Sequence, residues 1–507
     1  MSVSFNYMPA GGDLLAPLFY AEMDNSQANT SVGSETRRLI LGQVNDDAEG
    51  DFGVLKPVFS TEQAKSLFGA GSMAAVMYER LRRNDPAGEI WVLPVKLESG
   101  AIASGSIAIG GAATANGTLS LYIAGRRVQV TVLIGDEPDV IAADIVTAIN
   151  AADGVAVTAD ADDEDDANVT LTARWKGETT NDIRIELNRR GTAGGEATPA
   201  GLTVVISPMA GGAGQPDMAD MLGAVGDEAY EFIVSGWSDA ATLADLGEWM
   251  NDAAGRWAWS SMLYGHVYTA RRGELGEHVA AGLLRNDQHI TVHGFEPAVP
   301  QPAWEVAAGF TGRTAVFISA DPARPTQTGM IIGIDPAPEG ERFLKLERNQ
   351  LLKYGTATAR FEGGYYRIER GVTTYRKNTY GQPDNSYLDS ETLHTSAAVI
   401  RFLRTRVTSR FPRHKVADDG TRFGPGNAIV TPLMFRAELI AAYREMERRG
   451  WVENADLFAQ YLIVVRDADD PNRLNVLFPP DLVNQLRVIS LLFQFRLQYA
   501  APETEAA

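Results

Sequence analysis

Any catalysis or metal binding by this chain would have to use histidines, serines and carboxylates, because its 507 residues include no cysteine. Of the six histidines, His266, His278, His289, His293, His394 and His414, only His289 and His293 stand at a spacing a metal could bridge. Ile290 occupies the place where a zinc-protease helix carries its glutamate, and the surrounding residues read as a strand, so buried or polar histidines are expected instead. A serine hydrolase would present its nucleophile in a GxSxG elbow. None occurs, and Ser235-Gly236-Trp237-Ser238 reads as a turn after a strand. Gly69-Ala70-Gly71-Ser72 could offer amides to a phosphate at a helix start, but it lacks the lysine of a phosphate loop, which leaves helix capping. The acidic run Asp160, Asp162, Asp163, Glu164, Asp165 and Asp166 concentrates oxygen ligands suited to calcium. Counted from Asp160, however, Asp165 falls where an EF-hand needs glycine and Leu171 where it needs glutamate, so a solvated loop is expected. No catalytic, cofactor-binding or metal-binding residue is expected, and an enzyme is not the reading.

Composition narrows the class further. A net charge of −20 opposes direct binding to a phosphate backbone. Hydrophobic residues at 45% and charged residues at 22% are globular proportions, and the length calls for several domains. Folding without cysteine is independent of redox compartment, which suits assembly in a cytoplasm. Met1 to Met8 lacks the basic and apolar regions of a secretion signal, so export is not expected. The uncharged stretch from Ser99 to Gly125 is too rich in Gly, Ser, Thr and Asn to span a bilayer, and membrane insertion is not expected.

The elements that would position any site can be read in order. Ser2 to Tyr7 alternates with period two and predicts a short strand before Pro9 and Gly11-Gly12. Arg38 to Val44 reads as a buried strand. Ser60 to Gln63 has capping-box spacing for a helix to Phe68, and a second helix follows Ser72 before the strand Ile90 to Val95. From Lys96 to Gly214 short alternating runs at 119–123, 128–133, 169–173 and 183–187, with one helix at 140–151, predict a mostly-β insertion closed by Gly211-Gly212-Ala213-Gly214. Strands at 232–235, 262–268 and 288–292 alternating with helices at 239–254 and 273–284 predict a parallel α/β sheet. Helices at 392–409 and 436–449, strands at 461–466 and 474–478, and a long terminal strand complete the chain. The fold class is α/β multidomain. Its expected parts are an N-terminal arm (1–24), an α/β core (25–95 with 215–375), an inserted protruding β domain (96–214), a C-terminal α+β domain (376–485) and a strand arm (486–507).

Several stretches resemble the contractile tail sheath proteins of Mu-like phages. Pro17 to Glu22 with Asp24-Asn25-Ser26 is similar to the entry segment of that family, and Phe68 to Met73 to its FGxGS turn. More specific are Asp321 to Thr328, Glu347 to Leu352, and Phe411-Pro412-Arg413-His414-Lys415 running into Ala417 to Phe423. The resemblance implies a core sometimes called subtilisin-like, without protease activity, an exposed β domain, a C-terminal domain facing a tube, and terminal arms that exchange strands between subunits. It also implies a virion-tail location, a helical homo-oligomer of stacked hexameric rings, and partners in the tail tube, baseplate and tail terminator proteins. Its mechanics would be shared by the sheath of a phage-like bacteriocin or injection machine. The rival reading is an α/β hydrolytic or nucleotide-binding enzyme with a β module.

Two patterns bear on assembly independently. Val3, Phe5 and Tyr7, and Phe493, Phe495, Leu497 and Tyr499, are the apolar members of alternating terminal runs, and only Arg496 protects the second run from edge pairing. Either the runs pair within their own subunit or they augment sheets of neighbours, and neighbour exchange repeated head to tail generates an open helix. Between Val399 and Lys415 stand Arg401, Arg404, Arg406, Arg410, Arg413 and Lys415 with no acid among them. Given the resemblance, these are candidates to face an acidic tube wall; the other reading is a solvated or internally paired helix face.

Overall fold

The computed structural model describes residues 36–162, 164–424 and 426–498. Val3, Phe5, Tyr7 and Tyr499 lie outside the described residues.

The chain opens with β1 (Arg38–Gln43), β2 (Lys56–Val58), α1 (Thr61–Phe68), α2 (Met73–Asn84) and β3 (Ile90–Val95). Ser60 caps α1 by accepting from the Gln63 amide at 3.2 Å, and Ser72 caps α2 through the Ala75 amide at 3.1 Å. Both satisfy backbone donors that a helix start leaves open. The insertion follows with β4 (Ser104–Gly110), β5 (Gly117–Ile123), β6 (Arg126–Val132), α3 (Pro138–Ala151), β7 (Val157–Ala161), β8 (Asn168–Ala173), β9 (Ile185–Leu187) and β10 (Thr203–Ala210). It forms the antiparallel sheets β10-β4-β8-β7 and β6-β5-β9, with α3 packed against them.

Next come α4 (Met218–Leu222), β11 (Phe232–Ser235), α5 (Ala240–Met250), β12 (His266–Arg272), α6 (Leu275–Leu283), β13 (Ile290–Phe295), α7 (Ala303–Ala320), β14 (Met330–Ile331), α8 (Lys345–Lys353), β15 (Thr356–Glu362) and β16 (Tyr365–Arg370). These strands and β1 to β3 make a nine-stranded sheet ordered β14-β16-β15-β13-β12-β11-β1-β3-β2. The run β15-β13-β12-β11-β1-β3 is parallel, and antiparallel strands finish both edges. Strand order reverses direction between β1 and β11, so right-handed crossovers send α2 to one face and α5 and α6 to the other.

Among the departures from the sequence expectation, three bear on the nine-stranded sheet and the helices that cover it. The helix α7 fills the face beside α2, although its sequence lacks a clear apolar stripe. It is buried along most of its length, and Gly309 and Gly312 let it approach α2, where a Cβ on Gly312 would meet the Leu81 carbonyl oxygen at 2.8 Å. The strand expected at 262–268 begins only at His266, because Arg256 to Leu263 forms turns. The hairpin β15–β16 turns on Gly363 and Gly364, whose φ values of 61° and 84° suit a tight two-residue turn.

The insertion is welded to the sheet. Trp175 meets Trp304 edge-on at 5.7 Å, Arg126 bonds Glu79 at 2.8 Å, and Asp182 accepts from the Ala303 amide at 2.6 Å. In doubly wound folds, ligands bind in the crevice at the carboxyl ends of the strands where the order reverses. Here residues 175–182 of the insertion abut that end, with Gln43 bonded to the Lys176 carbonyl at 2.6 Å.

The remainder contains α9 (Ser390–Arg410), β17 (Lys415–Val416), β18 (Ile429–Val430), α10 (Pro432–Arg448), α11 (Ala455–Tyr461), β19 (Ile463–Arg466) and β20 (Leu474–Leu477). A second apolar cluster gathers Val399, Leu439, Tyr443, Met446, Val452 and Phe458, with Tyr443 and Phe458 stacked at 3.7 Å. The first half of α9 lies against the sheet and its second half, through Phe402, Leu403 and Val407, against this cluster.

Candidate assembly site

The histidines occupy structural positions. His394 contacts the Glu231 carboxylate through Nδ1, and its Nε2 lies 2.8 Å from the Tyr268 hydroxyl. Glu231 also pairs with Arg401. Burial raises the Glu231 pKa, but Arg401 and His394 outweigh it and hold the carboxyl below its ordinary value. This sequence of groups has the composition of a proton relay, yet Glu231, Tyr268 and His394 are all buried, so a substrate has no access to it. His266 bonds Thr291 at 2.8 Å, and His293 stacks on Phe310 at 4.8 Å. His289 and His293, the pair with metal-like spacing, point to separate partners, Asp252 and Tyr366. The acidic run joins β7 to β8, where Asp162 accepts from the Glu164 amide at 2.9 Å and from the Asn168 amide group at 3.0 Å. Among the described residues no cluster of His, Asp and Glu could hold a metal. No described helix is long and apolar enough to cross a membrane.

The basic run divides into two sets. Arg401 reaches Glu231 and the Tyr264 carbonyl, Arg406 bonds Glu438 at 2.7 Å and Glu445 at 2.5 Å, and Arg410 bonds Glu438 at 2.9 Å. Arg404, Arg413 and Lys415 are exposed, and no ion pair joins them to another described residue. The intramolecular partners are Glu231 just before β11, the Tyr264 carbonyl just before β12, and Glu438 and Glu445 on α10, all separated from the run along the chain, so a linear reading of charge could not find them.

Among the described residues the C-terminal run joins no strand ladder: residues 488–498 pair with no described strand. Val488, Ile489, Leu491, Leu492, Phe493, Phe495 and Leu497 are all exposed, Leu497 at 97%. The alternation that reads as a half-buried strand is therefore exposed on both faces in the isolated subunit. A second unfinished surface is the hairpin β19–β20, a two-stranded sheet in register from Ile463↔Leu477 to Arg466↔Leu474. Val464 packs on the C-terminal cluster, while Ile463, Val465 and Leu477 are exposed. A lone hairpin is marginal in water and keeps both outer edges open. The sequence marks these two strands, but only the fold shows that no third described strand joins them.

Sequence comparison matches this architecture to known proteins. The profile of the phage tail sheath protein central domain matches residues 211–374, and that of the phage tail sheath C-terminal domain matches residues 382–496. The Mu-like prophage FluMu tail sheath protein of Haemophilus influenzae is 38% identical over 500 residues, covering 98% of this chain and 100% of that protein. Among solved structures, the sheath tail protein of Desulfitobacterium hafniense aligns with a TM-score of 0.47 at 11% identity, over 92% of this chain and 100% of that one. The sheath tail protein of Listeria innocua aligns with a TM-score of 0.48 at 13% identity, over 89% of this chain and 92% of that one. With both family domains and nearly the full length of a sheath relative accounted for, the chain belongs to the tail sheath protein family of Mu-like phages.

Proposed function

We propose that this subunit polymerises helically around a tail tube, links to its neighbours by strand exchange, and contracts to drive the tube through a host envelope for genome delivery. Membership of the family makes it a structural subunit of a contractile phage tail and not an enzyme. The finer reading rests chiefly on one observation: an exposed apolar segment, 488–498, on a subunit that also carries an open-edged hairpin, β19–β20. In this reading Phe493, Phe495, Leu497 and Tyr499 of one copy, and Val3, Phe5 and Tyr7 of another, complete sheets on adjacent subunits, with β19–β20 as an acceptor. Backbone pairing supplies the link, and each buried large apolar side chain adds about 1.5 to 3 kcal/mol. Heterologous contacts of this kind build an open sleeve, here proposed as stacked hexameric rings bounded by baseplate and terminator proteins. Arg404, Arg413 and Lys415 are the members of the basic run free to meet an acidic tube wall; Arg401, Arg406 and Arg410 would hold α9 in place. Assembly is proposed to occur in the host cytoplasm.

A chain ending at Arg487 tests strand exchange. It should stay folded and soluble but form no sleeves under electron microscopy, whereas regular sleeves would overturn the reading.

A further inference from the structure

We infer that residues 481–487 form a releasable strap, pinned by Arg487, that sets how much of the C-terminal arm is free to reach another subunit. The inference rests on the strand-exchange reading above and adds to it a device at the arm's root. The strap begins on the C-terminal cluster. There the Asp481 amide donates to the Tyr443 hydroxyl at 3.0 Å, Leu482 pairs with Val452, and the Val483 amide donates to the Trp451 carbonyl at 3.1 Å. It ends on the sheet core, where Gln327 donates to the Leu486 carbonyl at 3.1 Å. Arg487 Nη2 lies 3.0 Å from Glu391 and 3.2 Å from Asp389.

This pin is built into the fold. The Arg487 side chain is 10% exposed and that of Glu391 is 0% exposed. Thr326 donates its amide at 3.0 Å and its hydroxyl at 2.8 Å to the same Glu391 oxygen, and Arg370 holds Asp389 through two 2.7 Å contacts. Among the described ion pairs, Arg487 is the cation that meets Glu391. Beyond it residues 488–498 are exposed. Between its two ends the strap borders a polar cavity of about 370 Å³ lined by residues that include Asn385, Thr392 and Asn484.

Such a tether is held at its ends, not by continuous apolar packing. A buried ion pair is strong in contact, but once the strap lifts and water enters, the attraction falls steeply. Pulling on the arm would therefore leave it bound until Arg487 yields and then free residues 482–487 together. At roughly 3.3 to 3.6 Å per extended residue, the reach of the arm would grow by about 20 Å. A link of variable length lets neighbouring subunits separate or rotate without losing the exchanged strand.

Hydrogen exchange of the full chain, free and in sleeves, tests both parts. In the free subunit, Arg487→Met should speed exchange at 482–487 at least tenfold with the sheet core unchanged; unchanged protection there would overturn the pin. If that variant fails to fold, combining it with Glu391→Gln removes the buried charge left behind and gives the same readout. In wild-type sleeves, rapid exchange at 482–487 in the extended or the contracted form supports release, and protection equal to the free subunit in both forms overturns it. New protection at 488–498 on polymerisation reports separately on strand exchange. Its absence alongside a tenfold Arg487 effect would overturn that reading while leaving the pin in place.

Discussion

Mild acid should destabilise the subunit through His293, a buried side chain remote from the arms. Its ring is stacked 4.8 Å from Phe310, lies near Phe295 and Tyr366, and is fully removed from solvent. Desolvation pushes its pKa from 6.5 to about 3. Above pH 6.5 the imidazole is neutral in both states, so it contributes no pH dependence. As the pH falls below 6.5 only the unfolded chain takes up the proton, and unfolding gains about 1.4 kcal/mol per pH unit until the folded pKa is reached. At pH 5 this amounts to about 2 kcal/mol relative to pH 8. His266 is displaced in the same direction by burial and adds to the loss in the wild type. Glu231 does not enter this window: its lowered pKa confers stability above the ordinary carboxylate range, lost only as the pH falls further. Urea unfolding of the unassembled subunit at several pH values between 8 and 5 would measure the effect against His293→Phe, whose ring suits the aromatic neighbours and does not titrate. The wild type should lose about 2 kcal/mol more than the variant over that range. Parallel curves would refute the assignment of the effect to His293.

Other perturbations separate packing, buried charge and surface charge. Gly312→Ala should destabilise by about 1 to 3 kcal/mol in urea unfolding, because its Cβ would enter contact with the Leu81 carbonyl across the α2–α7 pair. Glu231→Gln leaves Arg401 without its carboxylate and should cost about 2 to 4 kcal/mol, less than a fully buried pair because Arg401 is partly exposed. Exchange of Arg404 and Arg413 for glutamate should leave the unfolding midpoint unchanged and weaken co-sedimentation with tubes; Arg406→Glu should lower the midpoint, since it places a like charge beside Glu438 and Glu445.

Local chemistry made some elements legible and left others hidden. Serine caps at Ser60 and Ser72, together with the apolar run at β1, mark the start of the sheet in sequence and in structure. The helix α7 escaped because it is enclosed on most sides, and a helix buried all round carries no stripe for periodicity to detect. Strands β4 and β7 are rich in Gly, Ala, Ser or Asp, which give weak strand signals despite a regular antiparallel ladder, whereas β10 had a usable signal in Thr203-Val204-Val205-Ile206. The hairpin β15–β16 had a usable signal in Gly363-Gly364 between alternating residues. At the assembly site, period two identified the apolar members of the C-terminal run but not whether a partner lies within the subunit. The basic run posed the converse problem: its charges were evident, and the partners of Arg401, Arg406 and Arg410 were brought to them only by folding. Arg487 carried no local mark at all, since its value lies in Glu391 and Asp389, almost a hundred positions earlier in the chain.

The single helix α9 gives the subunit a load path. Its 21 residues run about 30 Å, one half bedded in the sheet core and the other in the C-terminal cluster. A torque on either body therefore reaches the other through a stiff beam instead of being absorbed in a joint.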